Sequence, residues 1–444
     1  MKNTFVISCP IDTYSGYGAR SRDFVKALIE LDEYDVMIIP QRWGNTPMNF
    51  IEDNITEWGF IEKHILRERL SFKPDIWCQC TVPNEFHAIG KFNIGLTAGI
   101  ETTVCHAEWI EGMNRMDHIL TSSTHSKNVL SVSSWKAQDG REIVLNKPIS
   151  VIPEGANLKK YCITKEFKNK ELYNKINSIP EKFAFLAMGH WMQGTIGHDR
   201  KNIALTIKSF YEVFKNKNNP PALILKTSMS GSSYMDRREI LHRIDQIKLS
   251  LPKGAKLPKI YLLHGDFIDS DINELYNHPK IKAMISLTKG EGFGRPLLEF
   301  SLIDKPIITT GWSGQIDFLQ PEFTCFVGGK LEKLHPTSVV EKILIPESEW
   351  FSPDHQQIAA CYMDVLNNTK VWNEKAKKQG NFSRTNFHFD SMKTKIKRFL
   401  NQDIPPLPKM MDLNLDGIGD IKLPKKEKLD NFINDNNPKV EVNG

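Results

Sequence analysis

Short continuous apolar runs alternate with longer stretches in which apolar residues recur at helical spacing. Such runs are typical of strands that are buried on both faces of a sheet. In the first half of the chain they predict strands at residues 5–8, 36–39, 76–80, 92–97, 118–121 and 149–152. Residues 19–31 form one of the intervening stretches, with an apolar helical face made of Phe24, Val25, Leu28 and Ile29. Strands that alternate with helices predict a parallel sheet with helices on both faces.

A second alternating series follows a polar, lysine-rich stretch at residues 165–182, which we interpret as an interdomain linker. Its strands are predicted at residues 183–188, 222–225, 260–263, 283–287 and 306–309. Further helices are predicted at 365–384 and 391–400. The sequence therefore predicts an α/β protein with two doubly wound domains, residues 1–164 and 183–385.

The chain has 444 residues, which is too long for one ordinary hydrophobic core. Its 40% hydrophobic and 25% charged residues are typical of a soluble globular protein, and a net charge of +5 neither requires nor excludes a polyanionic partner. No apolar run is as long as a bilayer span, and no signal-peptide pattern opens the chain. Its seven cysteines are irregularly spaced, so we expect reduced core residues and a cytoplasmic protein.

The strongest candidate for chemistry is the stretch 288–299, which follows the predicted strand 283–287. Its glycines, which allow a sharp turn and close approach to a ligand, are Gly290, Gly292 and Gly294. Pro296 suits the first turn of a helix, whose N–H groups attract anionic oxygens. Glu291 and Glu299 flank this turn and can accept hydrogen bonds from hydroxyls. The alternative is a tight turn with two solvated glutamates.

Three other places in the chain are candidate binding or catalytic positions because of the elements predicted around them. Arg200 and Lys201 lie where a helix is predicted to begin after a strand, which favours phosphate binding, although a solvated basic pair is common. The loop that contains Gly16 and Gly18 follows the first strand, and ligands of such sheets bind beyond the carboxyl ends of the strands. His106 can exchange protons near neutral pH or be a plain hydrogen-bonded histidine.

The pattern EGFGxPxxE, with its two glutamates spaced Glu-x7-Glu, resembles the donor-site signature of retaining glycosyltransferases of the GT-B class, in particular family four. The Lys201-Asn202 pair and the run 306–314 resemble further family segments. His190 and Trp191 stand where the family has an arginine, so Arg200 is the expected substitute. Asn157 stands where the family usually has an aspartate.

The resemblance implies a GT-B fold, in which two Rossmann-like domains face each other across a cleft and a C-terminal helix, here residues 386–402, crosses back to the first domain. It also implies transfer of a hexosyl or pentosyl group from a nucleotide sugar, such as a UDP-sugar, to an acceptor hydroxyl with retention of configuration. No cofactor and no metal ion is expected. The nucleotide sugar is a co-substrate in glycan biosynthesis.

The residue roles that this resemblance implies fall into two groups. Catalytic roles fall to Glu291, which holds the sugar hydroxyls, to His106, which positions the sugar, and to Lys201, which neutralises the phosphates. Glu299 is expected to bind the ribose hydroxyls. Other donor-binding positions are Arg200, Gly292, Phe293, Gly294, Gly16, Gly18 and Gly265.

Several alternatives stay open at this point. The chain could be a nucleotide-sugar or glycan binding protein without turnover, or a GT-B-like epimerase or phosphorylase. The acceptor could be a glycan, a lipid-linked saccharide or, less favoured, a modified nucleic-acid base.

The proline-rich stretch 403–444 is predicted to be a linker or a partly disordered tail. Its residues Asp412, Asn414, Asp416 and Asp420 resemble a calcium loop. Leu423 takes the place of the last carboxylate, so a solvated turn is favoured.

Overall fold

The computed structural model describes residues 2–407 except 193, 195, 196 and 230. A unit that ends at Pro405 contains two six-stranded sheets, which form the cores of what we call the first and second lobes. The candidate calcium loop, Asp412 to Asp420, lies outside the described residues.

The first lobe is a parallel sheet with the strand order β2-β1-β3-β4-β5-β8. Its strands are continuous apolar runs because both faces are covered, and Val6, Ile7 and Ile94 are fully buried. The elements are β1 (Thr4–Cys9), α1 (Gly16–Leu31), β2 (Asp35–Pro40), α2 (Phe50–Asp53), α3 (Ile55–Trp58), β3 (Ile76–Cys80), β4 (Phe92–Leu96), α4 (Ala107–Asn114), β5 (His118–Thr121), α5 (Thr124–Val132), the hairpin β6 (Ser134–Lys136) and β7 (Glu142–Val144), and β8 (Ile149–Val151).

The second lobe repeats this plan with the strand order β11-β10-β9-β12-β13-β14, again all parallel. Its elements are α6 (Lys170–Asn177), β9 (Ala184–Met188), α7 (Ile203–Phe214), β10 (Ala222–Lys226), α8 (Tyr234–Leu249), β11 (Ile260–Leu263), α9 (Asp269–Asn277), β12 (Ile281–Ser286), α10 (Arg295–Ser301), β13 (Ile307–Thr310), β14 (Cys325–Val327), β15 (Gly329–Lys333), β16 (Glu349–Pro353), α11 (His355–Asn367) and α12 (Thr369–Asn386). The two doubly wound lobes predicted from the sequence are therefore confirmed.

Residues 329–353, which we call the arm, were not predicted as a structural element. Strands β15 and β16 pair antiparallel within it, apart from the parallel sheet. Trp350 anchors the arm in a small apolar cluster with Leu334 and Leu344.

The stretch 165–182, interpreted from the sequence as an interdomain linker, includes a helix that the sequence did not predict. It contains α6, which buries Leu172 and Ile176 against the second-lobe core. Two apolar residues one turn apart are enough to dock this short, otherwise polar helix. The domain boundaries themselves stay predictions.

The last helix, α13 (Phe389–Gln402), returns to the first lobe. Lys393 lies 2.7 Å from Glu30 of α1, and the Phe399 ring packs edge-on against His118. The two segments that cross between lobes are bonded to each other, since Ala156 N donates to Phe387 O at 2.9 Å and Phe389 N to Ala156 O at 3.0 Å. We call residues 155–157 and 387–389 the hinge.

All seven cysteines carry free thiols, and six of them are buried as expected. Cys162 is the exception, because it is exposed. Over the described part of the chain, no helix combines the length and apolar character that crossing a bilayer requires.

Candidate functional site

Two loops at the carboxyl edge of the second sheet bring Lys201 and Glu291 together. Their strands, β9 and β12, are hydrogen-bonded neighbours, so the loops that follow them meet at the same edge. Lys201 Nζ lies 2.6 Å and 2.7 Å from the two carboxylate oxygens of Glu291. Of the predicted site residues, this pair forms the tightest contact.

Arg200 joins the same two loops through its backbone and its side chain. Its carbonyl accepts a hydrogen bond from Lys289 N at 2.8 Å, and its Nη1 donates to Gly290 O at 2.9 Å. The Arg200 guanidinium also lies 3.5 Å from Glu291. We call Arg200, Lys201 and Glu291 the ion cluster.

The carboxylate of Glu291 is stabilised in its ionised form. Burial alone raises the pKa of Glu291, but the nearby cations Lys201 and Arg200 more than offset it and hold this pKa below the usual value. Glu291 is therefore negatively charged at neutral pH, and the ion cluster presents two cations around one anion.

The first lobe touches the ion cluster directly. Glu101, in the loop after β4, places Oε1 3.3 Å from Arg200 Nη1. A Cβ on Gly290 would lie 2.0 Å from the carbonyl oxygen of Glu101, and a Cβ on Gly292 would lie 2.4 Å from that of Ala98. These two glycines are thus required because the main chains of the two lobes meet here.

Further hydrogen bonds hold the lobes together around this contact. Ser122 Oγ donates to Gly292 O at 3.1 Å, and Thr124 N donates to Asp317 Oδ2 at 2.7 Å. The arm binds the first lobe through Thr103 N to Glu349 O, 3.0 Å, and Glu349 N to Thr103 Oγ1, 2.8 Å. The described arrangement is a closed one.

Glu299, the second glutamate of the motif, lies in a different environment. Arg295 Nε donates to Glu299 Oε1 at 3.0 Å, while Arg295 Nη1 binds Asp23 at 2.7 Å and Glu154 at 3.1 Å in the first lobe. Burial, with a further contribution from Asp269, raises the pKa of Glu299 to about 7 in spite of Arg295. Near neutral pH this carboxyl can therefore donate or accept a hydrogen bond.

A cavity of about 500 Å³ lies beside the hinge and includes Glu299 in its wall. Both lobes line it, with Arg22 and Asp23 from α1, Tyr161 after the hinge, and Asp269 at the start of α9. Its volume is within the range of small-molecule sites. Glu299 thus faces a cavity, whereas Glu291 is enclosed in the ion cluster.

His106 takes a structural position at the start of α4. Its Nδ1 accepts a hydrogen bond from Glu108 N at 3.2 Å, which caps the helix. Its ring lies near Trp135 of the same lobe, with ring centroids 6.4 Å apart. No contact places it in the ion cluster, and its role toward a sugar stays a prediction.

The remaining predicted positions divide between open and packed surroundings. Gly16 and Gly265 face open space, whereas a Cβ on Gly18 would lie 2.3 Å from Thr13 O. Phe293 is a core residue that packs against Phe318 at 5.0 Å between ring centroids. Gly294 has φ +99°, in the left-handed region, and is the residue from which α10 begins.

Sequence analysis did not single out Arg295, Glu101 or Asp23, which join the lobes at the site. Arg295 occupies a variable position of the motif, and Glu101 lies four residues past the end of the predicted strand 92–97; neither position gave any other signal. A fourth such residue is His125, whose ring meets Trp312 of the second lobe edge-on at 4.7 Å. Burial lowers the pKa of His125 to about 4, so its imidazole is neutral at pH 7.

Among the residues that the structure describes, no group of three or more His, Cys, Asp or Glu side chains is arranged to hold a metal ion. The candidate calcium loop at residues 412–420 is outside that part of the chain.

No protein-family model matches the sequence, and no curated protein matches it either. Solved structures do share its fold. A glycosyltransferase from Rickettsia africae has a TM-score of 0.59 at 15% identity, over 90% of this chain and 99% of that one. The sucrose-phosphate synthase of Thermosynechococcus elongatus has a TM-score of 0.58 at 12% identity, with the same coverage.

Anabaena HepE, solved in complex with UDP and glucose, has a TM-score of 0.57 at 11% identity and covers 90% of this chain and 100% of its own. Identities this low establish the fold alone. The structural matches, which cover nearly all of both chains, show that the two lobes form the GT-B fold of glycosyltransferases. The predicted fold class is therefore confirmed.

Proposed function

We propose that the protein is a glycosyltransferase that transfers a sugar from a nucleotide sugar, such as a UDP-sugar, to an acceptor hydroxyl. One observation carries this proposal: Lys201, Arg200 and Glu291 converge at the carboxyl edge of the second sheet and face the first lobe. Ligands of doubly wound sheets bind at that edge. The UDP and glucose held by HepE, which shares the fold, support the same class of donor.

The two cations of the cluster suit the charge that develops in this reaction. As the bond between the anomeric carbon and the diphosphate oxygen breaks, the electron pair stays on the diphosphate. Fixed donors placed on those oxygens stabilise the transition state more than the ground state. Lys201 offers a compact ammonium and Arg200 a planar fork of N–H groups. The diphosphate must then replace Glu291 as the partner of Lys201, and Glu291 becomes available to sugar hydroxyls.

Glu299 and the hinge cavity suit the nucleoside part of the donor. The cavity is bounded by the carboxyls of Glu299 and Asp269, which accept hydrogen bonds from vicinal ribose hydroxyls, and by the ring of Tyr161. Since Glu299 follows Glu291 on the same loop and helix, a nucleotide sugar that contacts both spans from the ion cluster to the cavity.

The stereochemistry of transfer, the neutralisation of the leaving group and the class of acceptor are part of the same proposal. Transfer occurs with retention of configuration, and Lys201 and Arg200 neutralise the leaving group in place of a metal ion. The acceptor is a glycan or a lipid-linked saccharide that approaches from the first lobe.

Radiolabelled UDP- and GDP-sugars test the proposal, with sugar release and transfer measured for the wild type, Lys201→Met and Glu291→Gln. We expect each variant to lose turnover by about a hundredfold or more, as for removal of one preorganised transition-state partner. Matched controls are Lys208→Met on the outer side of α7, where Lys208 pairs with Glu212, and Glu322→Gln at an exposed position.

Unchanged turnover in both site variants would refute the assignment of the site. Binding of a nucleotide sugar without release or transfer, over a panel of acceptors, would instead favour a binding protein.

A further inference from the structure

Arg200 is shared between the two lobes. Its Nη1 donates to Gly290 O of its own lobe at 2.9 Å and lies 3.3 Å from Glu101 Oε1 of the first lobe. The side chains of Arg200 and Glu101 are 13% and 24% exposed, so this contact is screened less than a surface ion pair. A first-lobe carboxylate therefore binds a guanidinium that the proposed function assigns to phosphate.

The charges around this contact are balanced within the chain. Lys201 is held by both oxygens of Glu291, at 2.6 Å and 2.7 Å, and Arg200 lies between Glu291 and Glu101. Two cations thus face two carboxylates, one from each lobe. A diphosphate that binds the same cations must take the place of these carboxylates, because three anions around two cations repel one another.

The space around the ion cluster is also restricted. The carbonyl oxygens of Glu101 and Ala98 lie only 2.0 Å and 2.4 Å from where a Cβ on Gly290 and on Gly292 would be placed. The 98–101 loop is thus packed against the glycine loop beside Arg200, and a diphosphate that takes the place of Glu101 requires Glu101 to move away. Movement of that loop removes Glu101 from Arg200 at the same time.

We propose that Glu101 competes with the nucleoside diphosphate for Arg200, so that donor binding exchanges an interlobe ion pair for a phosphate contact. The inference rests on the proposed function and deepens it, since it names the residue that sets donor affinity and promotes release of the diphosphate product. When the lobes close again, the return of Glu101 to Arg200 displaces the diphosphate. Such a residue weakens ground-state binding without taking part in bond making.

Calorimetric titration of the full-length protein with UDP and with GDP tests this inference. We expect Glu101→Gln to bind the nucleoside diphosphate between about threefold and tenfold more tightly than the wild type, the range of a partly buried charge pair. The gain should shrink as salt is raised from low to physiological concentration, because ions screen the competing charge. The matched control is Glu111→Gln, an exposed carboxylate of the neighbouring α4, which should leave affinity unchanged.

A second variant separates charge competition from simple loosening of the lobes. Thr103→Val removes the hydroxyl that accepts from Glu349 N, two residues from Glu101, and leaves the Glu101 carboxylate in place. An equal gain in affinity for Thr103→Val and Glu101→Gln would overturn the inference, as would Glu101→Gln binding no more tightly than the wild type. Thermal unfolding confirms that each variant is folded.

The Lys201→Met protein distinguishes failure of this inference from failure of the proposed function. If UDP or GDP binds the wild type and Lys201→Met loses that binding while Glu101→Gln is unchanged, only the role of Glu101 is refuted. If neither diphosphate binds the wild type or Glu101→Gln, both proposals are refuted.

Discussion

Arg295 of the second lobe donates a hydrogen bond to Asp23 of the first lobe at 2.7 Å, although the two residues are 272 positions apart in the sequence. The same guanidinium binds Glu154 and Glu299, so one cation serves three carboxylates. Its side chain is 23% exposed, and those of its partners are less so. Arg295 therefore contributes one shared charge to the contact between the lobes beside the hinge.

Replacement of Arg295 should destabilise the protein strongly. Arg295→Met leaves three partly buried carboxylates without their cation, and we expect a loss of about 3 kcal/mol in the free energy of unfolding. Urea unfolding measures it, with Arg238→Met on the exposed face of α8 as the control. A loss no larger than that of the control would show that Arg295 and its three carboxylate partners are solvated.

Glu299 should make stability depend on pH near neutrality. Its pKa is about 7 in the folded protein, mainly because of burial, against an ordinary value of 4.5. Between these values the folded state holds more protons than the unfolded state, so this group's contribution to stability falls as pH rises through that window. Glu299→Gln removes that dependence.

We therefore expect the stability of Glu299→Gln, relative to the wild type, to rise between pH 5 and pH 8 by on the order of 1–3 kcal/mol. Denaturant unfolding at several pH values measures the difference. A constant difference over that range would mean that Glu299 is fully ionised in the folded protein.

Gly290 should tolerate no side chain. In Gly290→Ala the new methyl group would lie 2.0 Å from the carbonyl oxygen of Glu101, so the loops must separate. We expect a loss of about 1–3 kcal/mol, as for overpacking elsewhere, together with loss of turnover. Gly231→Ala is the control, because nothing lies within 4 Å of its added methyl group. Equal stability of the two variants would contradict a close lobe contact.

Turnover should be insensitive to removal of divalent metal ions. If Lys201 and Arg200 neutralise the leaving diphosphate, a chelator such as EDTA in excess should leave the rate of sugar transfer unchanged. The measurement compares initial rates with and without chelator, and then after addition of Mg²⁺ or Mn²⁺. A rate that collapses with chelator and returns with metal would contradict this part of the proposal.

Local sequence determined the elements and the fold class. A strand buried on both faces must be a continuous apolar run, and a covering helix must repeat its apolar face every turn, so both signals lie within a few neighbouring residues. On this basis the apolar run at residues 283–287 predicts a strand and the apolar face within residues 19–31 predicts a helix, and β12 and α1 lie there. The motif that contains Glu291 and Glu299 was readable for the same reason, because its spacing is local.

Only the tertiary structure decided which distant residues meet, both within the second lobe and between the two lobes. The neighbouring positions of β9 and β12, which join Lys201 to Glu291, follow from a strand order that skips along the chain. The contacts of Arg295 with Asp23, of Arg200 with Glu101, and of the arm with Thr103 each link distant segments. They depend on how two finished lobes are placed against each other, and no short-range periodicity in the sequence encodes that placement.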